Sequence, residues 1–175
     1  DFLSHLTKQY NSADLIIFAT RYDSVDLNIL DELIQILKLD NKKIIIFDNA
    51  LEQSTNSGYG LNRLDDYVLK NKKFTNEYEL KKKEEEIIED LKNKKGVNLR
   101  IKEIAKKNNI YLIEGEKIFC DVINQRCPAI TNEGYKIYYD HAHITSKGAE
   151  FFAKKIEKDK LFLKYLNSTL NISFD

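Results

Sequence analysis

The sequence has no charge of a prevailing sign: Lys plus Arg and Asp plus Glu number 28 each. Without a basic excess the electrostatic footprint of a nucleic-acid partner is missing, and none is expected. No apolar run approaches the roughly 20 residues that span a bilayer, so nothing in this stretch reads as a transmembrane helix. Cysteine is limited to Cys120 and Cys127 and histidine to three residues. With no further Cys or clustered His beside the cysteine pair, a zinc site is not expected there. Proline occurs once, at Pro128, and no segment is rich in Pro, Gly or Ser. No linker and no internal repeat therefore divides the chain. It opens at Asp1 without an initiating methionine or a signal peptide. That reads as a piece of a longer protein whose targeting information lies elsewhere.

What is there suits a folded unit. Of the 175 residues, 42% are hydrophobic, enough for one domain over 1–175 with its own core and too many for disorder, despite 32% charge. Asp14–Ala19 and Lys43–Asp48 are continuous apolar runs of strand length, the pattern of parallel strands covered on both faces. Between them Leu30, Leu33, Ile34 and Leu37 mark a helix, so strand, helix and strand follow with short joins and predict a parallel crossover. A third strand is expected at 110–113, after a helix over 99–107 whose Ile101, Ile104 and Ala105 turn inward and which ends at Asn108-Asn109. Residues 2–10 carry the spacing of a helix end. Residues 50–76, with Ser54, Thr55, Asn56, Ser57, Gly58 and Gly60, read as an irregular excursion with a short helix near 64–69. Lys81–Glu86 reads as the solvated face of a helix whose core side is Ile87, Ile88 and Leu91. Residues 118–139, with a turn at Asn132-Glu133-Gly134, read as a hairpin-like arm.

That arm delivers the chain to Tyr138-Tyr139-Asp140-His141-Ala142-His143-Ile144-Thr145-Ser146-Lys147-Gly148. Thr145 or Ser146 can cap a helix whose apolar stripe is Ala149, Phe152, Ala153 and Ile156. Asp140 stands three residues before His143, so a carboxylate can accept from imidazole Nδ1 and leave Nε2 as a general base for a hydroxyl. His141-Ala142-His143 with Asp140 could hold a metal only in an extended segment, and the only remaining histidine is His5; neither a metal nor a cofactor is expected. Ser4 beside His5 is set aside as a nucleophile, because adjacent residues on a helix do not face each other. Arg21 follows the first strand at its carboxyl end, where open α/β sheets bind ligands, and is either a site residue or a surface partner of Asp23 or Asp26. The spacing of Cys120 and Cys127 suits either a small closed loop around Asn124-Gln125 or two free thiols.

In this order the features resemble an SGNH (GDSL-type) hydrolase domain. They are most similar to the SGNH domain at the C-terminus of acyltransferase-three membrane proteins, which O-acetylate bacterial surface carbohydrate. The family's last block is matched by Asp140, His143, Ile144, Thr145 and Gly148. From Phe119 to Phe152 the likeness continues through Cys120, a turn, Cys127-Pro128, the hairpin with Gly134, and Tyr138-Tyr139-Asp140. The resemblance implies a three-layer α/β/α sandwich with a flavodoxin-like parallel sheet, here without its first strand. It implies Ser-His-Asp acyl transfer with His143 as base and Asp140 orienting it, toward a carbohydrate acceptor from an acyl donor. It also implies a Cys120–Cys127 bridge, an extracytoplasmic or periplasmic location, and fusion to a transmembrane acyltransferase domain. The family's Gly-Asp-Ser is absent, so the serine is expected upstream of Asp1. The Gly-x-Asn-Asp of the third block is replaced by Ala19-Thr20-Arg21-Tyr22, which makes Arg21 the candidate substrate or oxyanion contact. An SGNH esterase and a non-catalytic flavodoxin-like binding module are the alternatives.

Overall fold

The computed structural model describes residues 2–23, 26–49, 53, 60–93 and 95–170. The chain runs α1 (Phe2–Ser12), β1 (Leu15–Phe18), α2 (Asp26–Leu39), β2 (Lys43–Phe47), α3 (Arg63–Asn71), α4 (Glu77–Asn93), α5 (Lys95–Lys107), β3 (Tyr111–Ile113), α6 (Gly115–Phe119), α7 (Ser146–Ile156) and α8 (Lys160–Leu170). The three strands form one parallel sheet in the order β1-β2-β3, with Leu15 opposite Lys43 and Phe47 opposite Ile113. The expected α/β fold with 14–19, 43–48 and 110–113 in one parallel sheet is what the chain adopts. Among the described residues no strand precedes β1.

The unbroken apolarity of β2 has the cause its sequence suggested. Alternate side chains of a strand point to opposite faces, and both faces here are covered. Ile44 and Ile46 pack with Leu27, Leu30, Ile34 and Leu37 of α2 and with Ile101 and Ile104 of α5. Ile45 turns the other way, into a core built from Ile87 and Ile88 of α4, Ile113, Phe152 of α7 and the arm residues Cys120, Cys127, Ala129, Ile137 and Tyr138. Ile34, Ile45, Ile46, Ile87, Ile88 and Ile101 are essentially sealed, each contributing roughly 1.5–3 kcal/mol from burial. β1 is an edge strand of this sheet, and its Ile17 is 52% exposed.

Local signals set the helix ends. Asp23 and Asp26 exchange side-chain-to-backbone hydrogen bonds at 3.0 Å, the reciprocal pattern of a capping box before α2. Asn62 caps α3 by accepting from Asp65 N–H at 2.9 Å. Asn109, at φ 52°, takes the left-handed conformation after α5, where Asn108-Asn109 was expected to end the helix.

Two expectations need correction. Lys81–Glu86 is not wholly a solvated face: Glu84 is buried and accepts from Ala129 N–H at 3.0 Å, and its backbone carbonyl takes Cys127 N–H. The arm needed a buried acceptor at that point, which helical charge spacing does not reveal. In α7, Ala149 and Ala153 are exposed, and the buried side runs through Gly148 and Phe152. The helix is rotated because Gly148 abuts the arm. The excursion contains its helix as α3; Ser54–Gly58 lies outside the described residues. Ser4 falls in α1, outside the described side chains.

Candidate active site

The loop carrying Asp140 and His143 is closed at both ends. Tyr138 and Ile144 bridge antiparallel, and Tyr139 N–H donates to His143 O at 2.8 Å. Within it, Asp140 Oδ1 accepts the N–H groups of Ala142 and His143, each at 2.8 Å. An aspartate that folds back on amides two and three residues ahead makes an Asx-type turn, and this one aims the carboxylate. His143 Nδ1 lies 2.8 Å from Oδ2 and 3.0 Å from Oδ1. A carboxylate only accepts, so Nδ1 carries a proton, and the tautomer this selects for the neutral ring is the one with its lone pair on Nε2. Desolvation works to raise the Asp140 pKa, but the Ala142 N–H, the imidazole and the His143 N–H outweigh it. They hold the carboxyl at about 2. Asp140 is thus an anion at neutral pH. The His143 side chain is 75% exposed, so its outer nitrogen is open to a hydroxyl.

Helix α7 fixes this loop from below. Thr145 Oγ1 accepts from Gly148 N–H at 3.0 Å, capping α7, and donates to Lys136 O at 2.7 Å. Its N–H donates to Ile137 O at 2.8 Å. A Cβ on Gly148 would stand 2.3 Å from Ile137 O, which explains why the motif requires glycine there: close approach rather than backbone conformation. The disulfide Cys120–Cys127, with Cα atoms 4.0 Å apart, braces the arm. Closing so short a loop contributes roughly 2–3 kcal/mol in the chain-entropy picture.

His141 is occupied differently. Its N–H and its Nδ1 both reach Gly60 O at 2.9 Å, and its carbonyl accepts Gln53 N–H at 2.8 Å. Because Gly60 O can only accept, His141 Nδ1 is a donor, and the residue ties the excursion to the loop. Asn62, buried before α3, adds a second tie by donating to Tyr138 O at 3.1 Å. These links join positions about 80 residues apart and have no signature in local sequence.

A cleft of about 570 Å³ opens at the carboxyl ends of β1 and β2, lined by Thr20, Arg21, Asp48, Phe119, His141 and His143 among others. It brings Arg21 and His143 to one place. Asn49 holds the Arg21 loop, accepting Tyr22 N–H at 2.7 Å and donating to Tyr22 O at 2.9 Å. Asp48 is buried, accepts Gly115 N–H at 2.6 Å, and is pushed up to about 6, first by desolvation and then by Glu114 and Glu116. Its place at a strand end was legible in the sequence, and its burial was not. A larger open cleft of about 620 Å³ is lined by Leu61, Asp65, Val68 and Leu69; its one carboxylate, Asp65, is held by Asn62 and Lys136, so we locate the chemistry in the smaller one. Among the described residues no three metal-ligating side chains converge, and no helix is long and apolar enough to cross a membrane.

Comparison with known proteins adds two findings. Residues 2–158 match a sequence family described as "SGNH domain (fused to AT3 domains)". Among solved structures, the Salmonella ser. Paratyphi A lipopolysaccharide acetyltransferase periplasmic domain is similar, with a TM-score of 0.50 and 19% identity over 84% of this chain. The chain spans 56% of the length of that structure. No curated protein matches.

Proposed function

Because the chain belongs to the family of SGNH domains fused to AT3 domains, we propose that it performs serine-based O-acyl transfer, with His143 as general base and Asp140 orienting it. The observation that carries this reading is the Asp140 carboxylate on His143 Nδ1 at 2.8 Å, with the imidazole exposed at a cleft on the carboxyl side of a parallel sheet. The nucleophilic serine, in this proposal, comes from a segment before residue 1. His143 Nε2 takes the serine proton as Oγ attacks the acyl carbonyl. The resulting imidazolium, stabilised by Asp140, returns that proton to the leaving group. In the second half His143 deprotonates an acceptor hydroxyl, which attacks the acyl-serine; the ester leaves and the serine regains its proton. Water in place of the acceptor gives hydrolysis. Arg21, in the same cleft, is the proposed contact for the substrate or for the oxyanion.

The solved neighbour is by name a lipopolysaccharide acetyltransferase. By the same reading the acyl group here is acetyl and the acceptor a surface carbohydrate. The disulfide supports an extracytoplasmic location, since such bonds persist in oxidising compartments. The family description supports a fusion to a membrane acyltransferase domain.

The intact protein should release nitrophenol from p-nitrophenyl acetate. His143→Ala should reduce that rate on the order of 10⁴-fold, as loss of a triad member does. His141→Ala should keep most of it, because His141 Nδ1 is spent on Gly60 O. Equal losses in the two variants would overturn the assignment of the base.

A further inference from the structure

Asp48 is a carboxylate that the acyl-transfer chemistry does not use. It directly follows β2, is 8% exposed, and lines both the cleft of His143 and Arg21 and a second of about 210 Å³ beside Asn98, Lys102 and Glu114. Its two oxygens differ. Oδ1 accepts Gly115 N–H at 2.6 Å, so closely that a Cβ on Gly115 would lie 2.9 Å from it. Oδ2 receives no hydrogen bond from the described residues, yet it is not among their sealed, unpartnered polar atoms. One oxygen is therefore anchored, and the other, on a residue that lines both clefts, has no partner among the described residues. Water can pair with that oxygen while the cleft is open, and a ligand that displaces the water must bring a donor of its own or leave the acceptor unpaired. Glu114 and Glu116 add negative potential at the same carboxylate, which Lys102 offsets in part, and a carboxylate oxygen can only accept, so its partner is a donor.

We infer that Asp48 Oδ2 accepts a hydrogen bond from a hydroxyl of the acceptor carbohydrate, making Asp48 a specificity-determining residue that orients the sugar beside His143. This rests on the acyl-transfer reading for the identity of the ligand. A hydroxyl next to the attacking one would be read by Asp48 while His143 activates its neighbour. A site built to pair with a hydroxyl rejects an analogue lacking it, because the buried acceptor is then left unpaired.

Asp48→Asn separates this role from a structural one. The amide oxygen can still accept from Gly115 N–H, so the local packing is kept, while the group facing the clefts changes from acceptor to donor. The intact protein would be titrated with methyl α-D-glucopyranoside, methyl α-D-galactopyranoside, methyl α-D-mannopyranoside and their monodeoxy analogues, followed by NMR at the Gly115 amide. In the wild type one glycoside should shift that amide, and one of its deoxy analogues should bind about tenfold more weakly or worse, the scale of a hydrogen bond to a charged group. Asp48→Asn should weaken the parent glycoside similarly and abolish the difference between parent and analogue. The wild-type comparison stands alone should the variant fold poorly. No glycoside acting at Gly115, or a parent–analogue difference that survives in Asp48→Asn, would overturn the inference. The titration needs no turnover, so its failure is distinguishable from a failure of the His143 assignment.

Discussion

Asp140 and Asp48 titrate in opposite directions, and the difference is set by what each is given to bind. Asp140 has two amides and an imidazole and sits at about 2, below its ordinary 3.8. Asp48 has a single amide in a desolvated position and sits at about 6. The signs follow from proton linkage. The stability contributed by Asp140 is present above about pH 4 and is lost as pH falls from about 4 to about 2. Asp48 destabilises the folded form as it ionises, so its cost grows as pH rises from about 4 through about 6, to at most about 3 kcal/mol. Urea unfolding against pH should therefore show Asp140→Asn losing its deficit relative to wild type between pH 4 and 2. It should show Asp48→Asn gaining an advantage between pH 4 and 6. A pH-independent difference for either variant would contradict the environment assigned to that carboxyl.

At the scale of elements, the buried strands and their helices were legible because the signal is local. An unbroken run such as Ile44-Ile45-Ile46 is covered on both faces, and a helix between two such runs implies a parallel pair. The Asp140–His143 contact was also legible, since three residues of spacing and one tight turn determine it. What escaped is held by distant partners: Glu84 under the disulfide arm, His141 on Gly60, Asn62 on Tyr138 and Asp48 on Gly115. The orientation of α7 escaped for the same reason. Its apolar spacing admitted Ala149 and Ala153, whereas the contact of Gly148 with the Ile137 carbonyl turned the helix onto Phe152. This contact makes a sharp prediction. Gly148→Ala places a methyl 2.3 Å from a backbone oxygen, an overlap that must displace α7 or the arm at a cost of about 1–3 kcal/mol. Because Thr145 and the Asp140 loop hang on the same two elements, activity should fall by more than the folded fraction does. A fully active, fully stable Gly148→Ala protein would show that the helix is not what holds the loop.

Across the whole molecule the two edges of the sheet are treated unequally. β3 has α8 against it, with Tyr111 stacked on Tyr165 at 4.8 Å and Tyr165 Oη donating across to Ile44 O at 2.9 Å. β1 pairs with β2 alone among the described residues, and Ile17 on it is half exposed beside unpaired backbone groups. A strand edge with an apolar side chain and no charge guarding it is a template for pairing with another chain. Natural edges are guarded by lysine, proline or a covering element; the run Leu15-Ile16-Ile17-Phe18 holds neither lysine nor proline, and among the described residues no strand covers its outer edge. Residues 1–175 expressed alone should therefore self-associate with rising concentration, read by sedimentation or light scattering. Ile17→Lys should keep them monomeric without loss of fold, because Ile17 is not part of either buried cluster. By the proposal that a preceding strand carries the nucleophile, a longer chain that includes that strand should also stay monomeric, since the strand would occupy the edge. If 1–175 is monomeric at high concentration and Ile17→Lys changes nothing, the β1 edge is not an open one, and the place proposed for that strand is wrong.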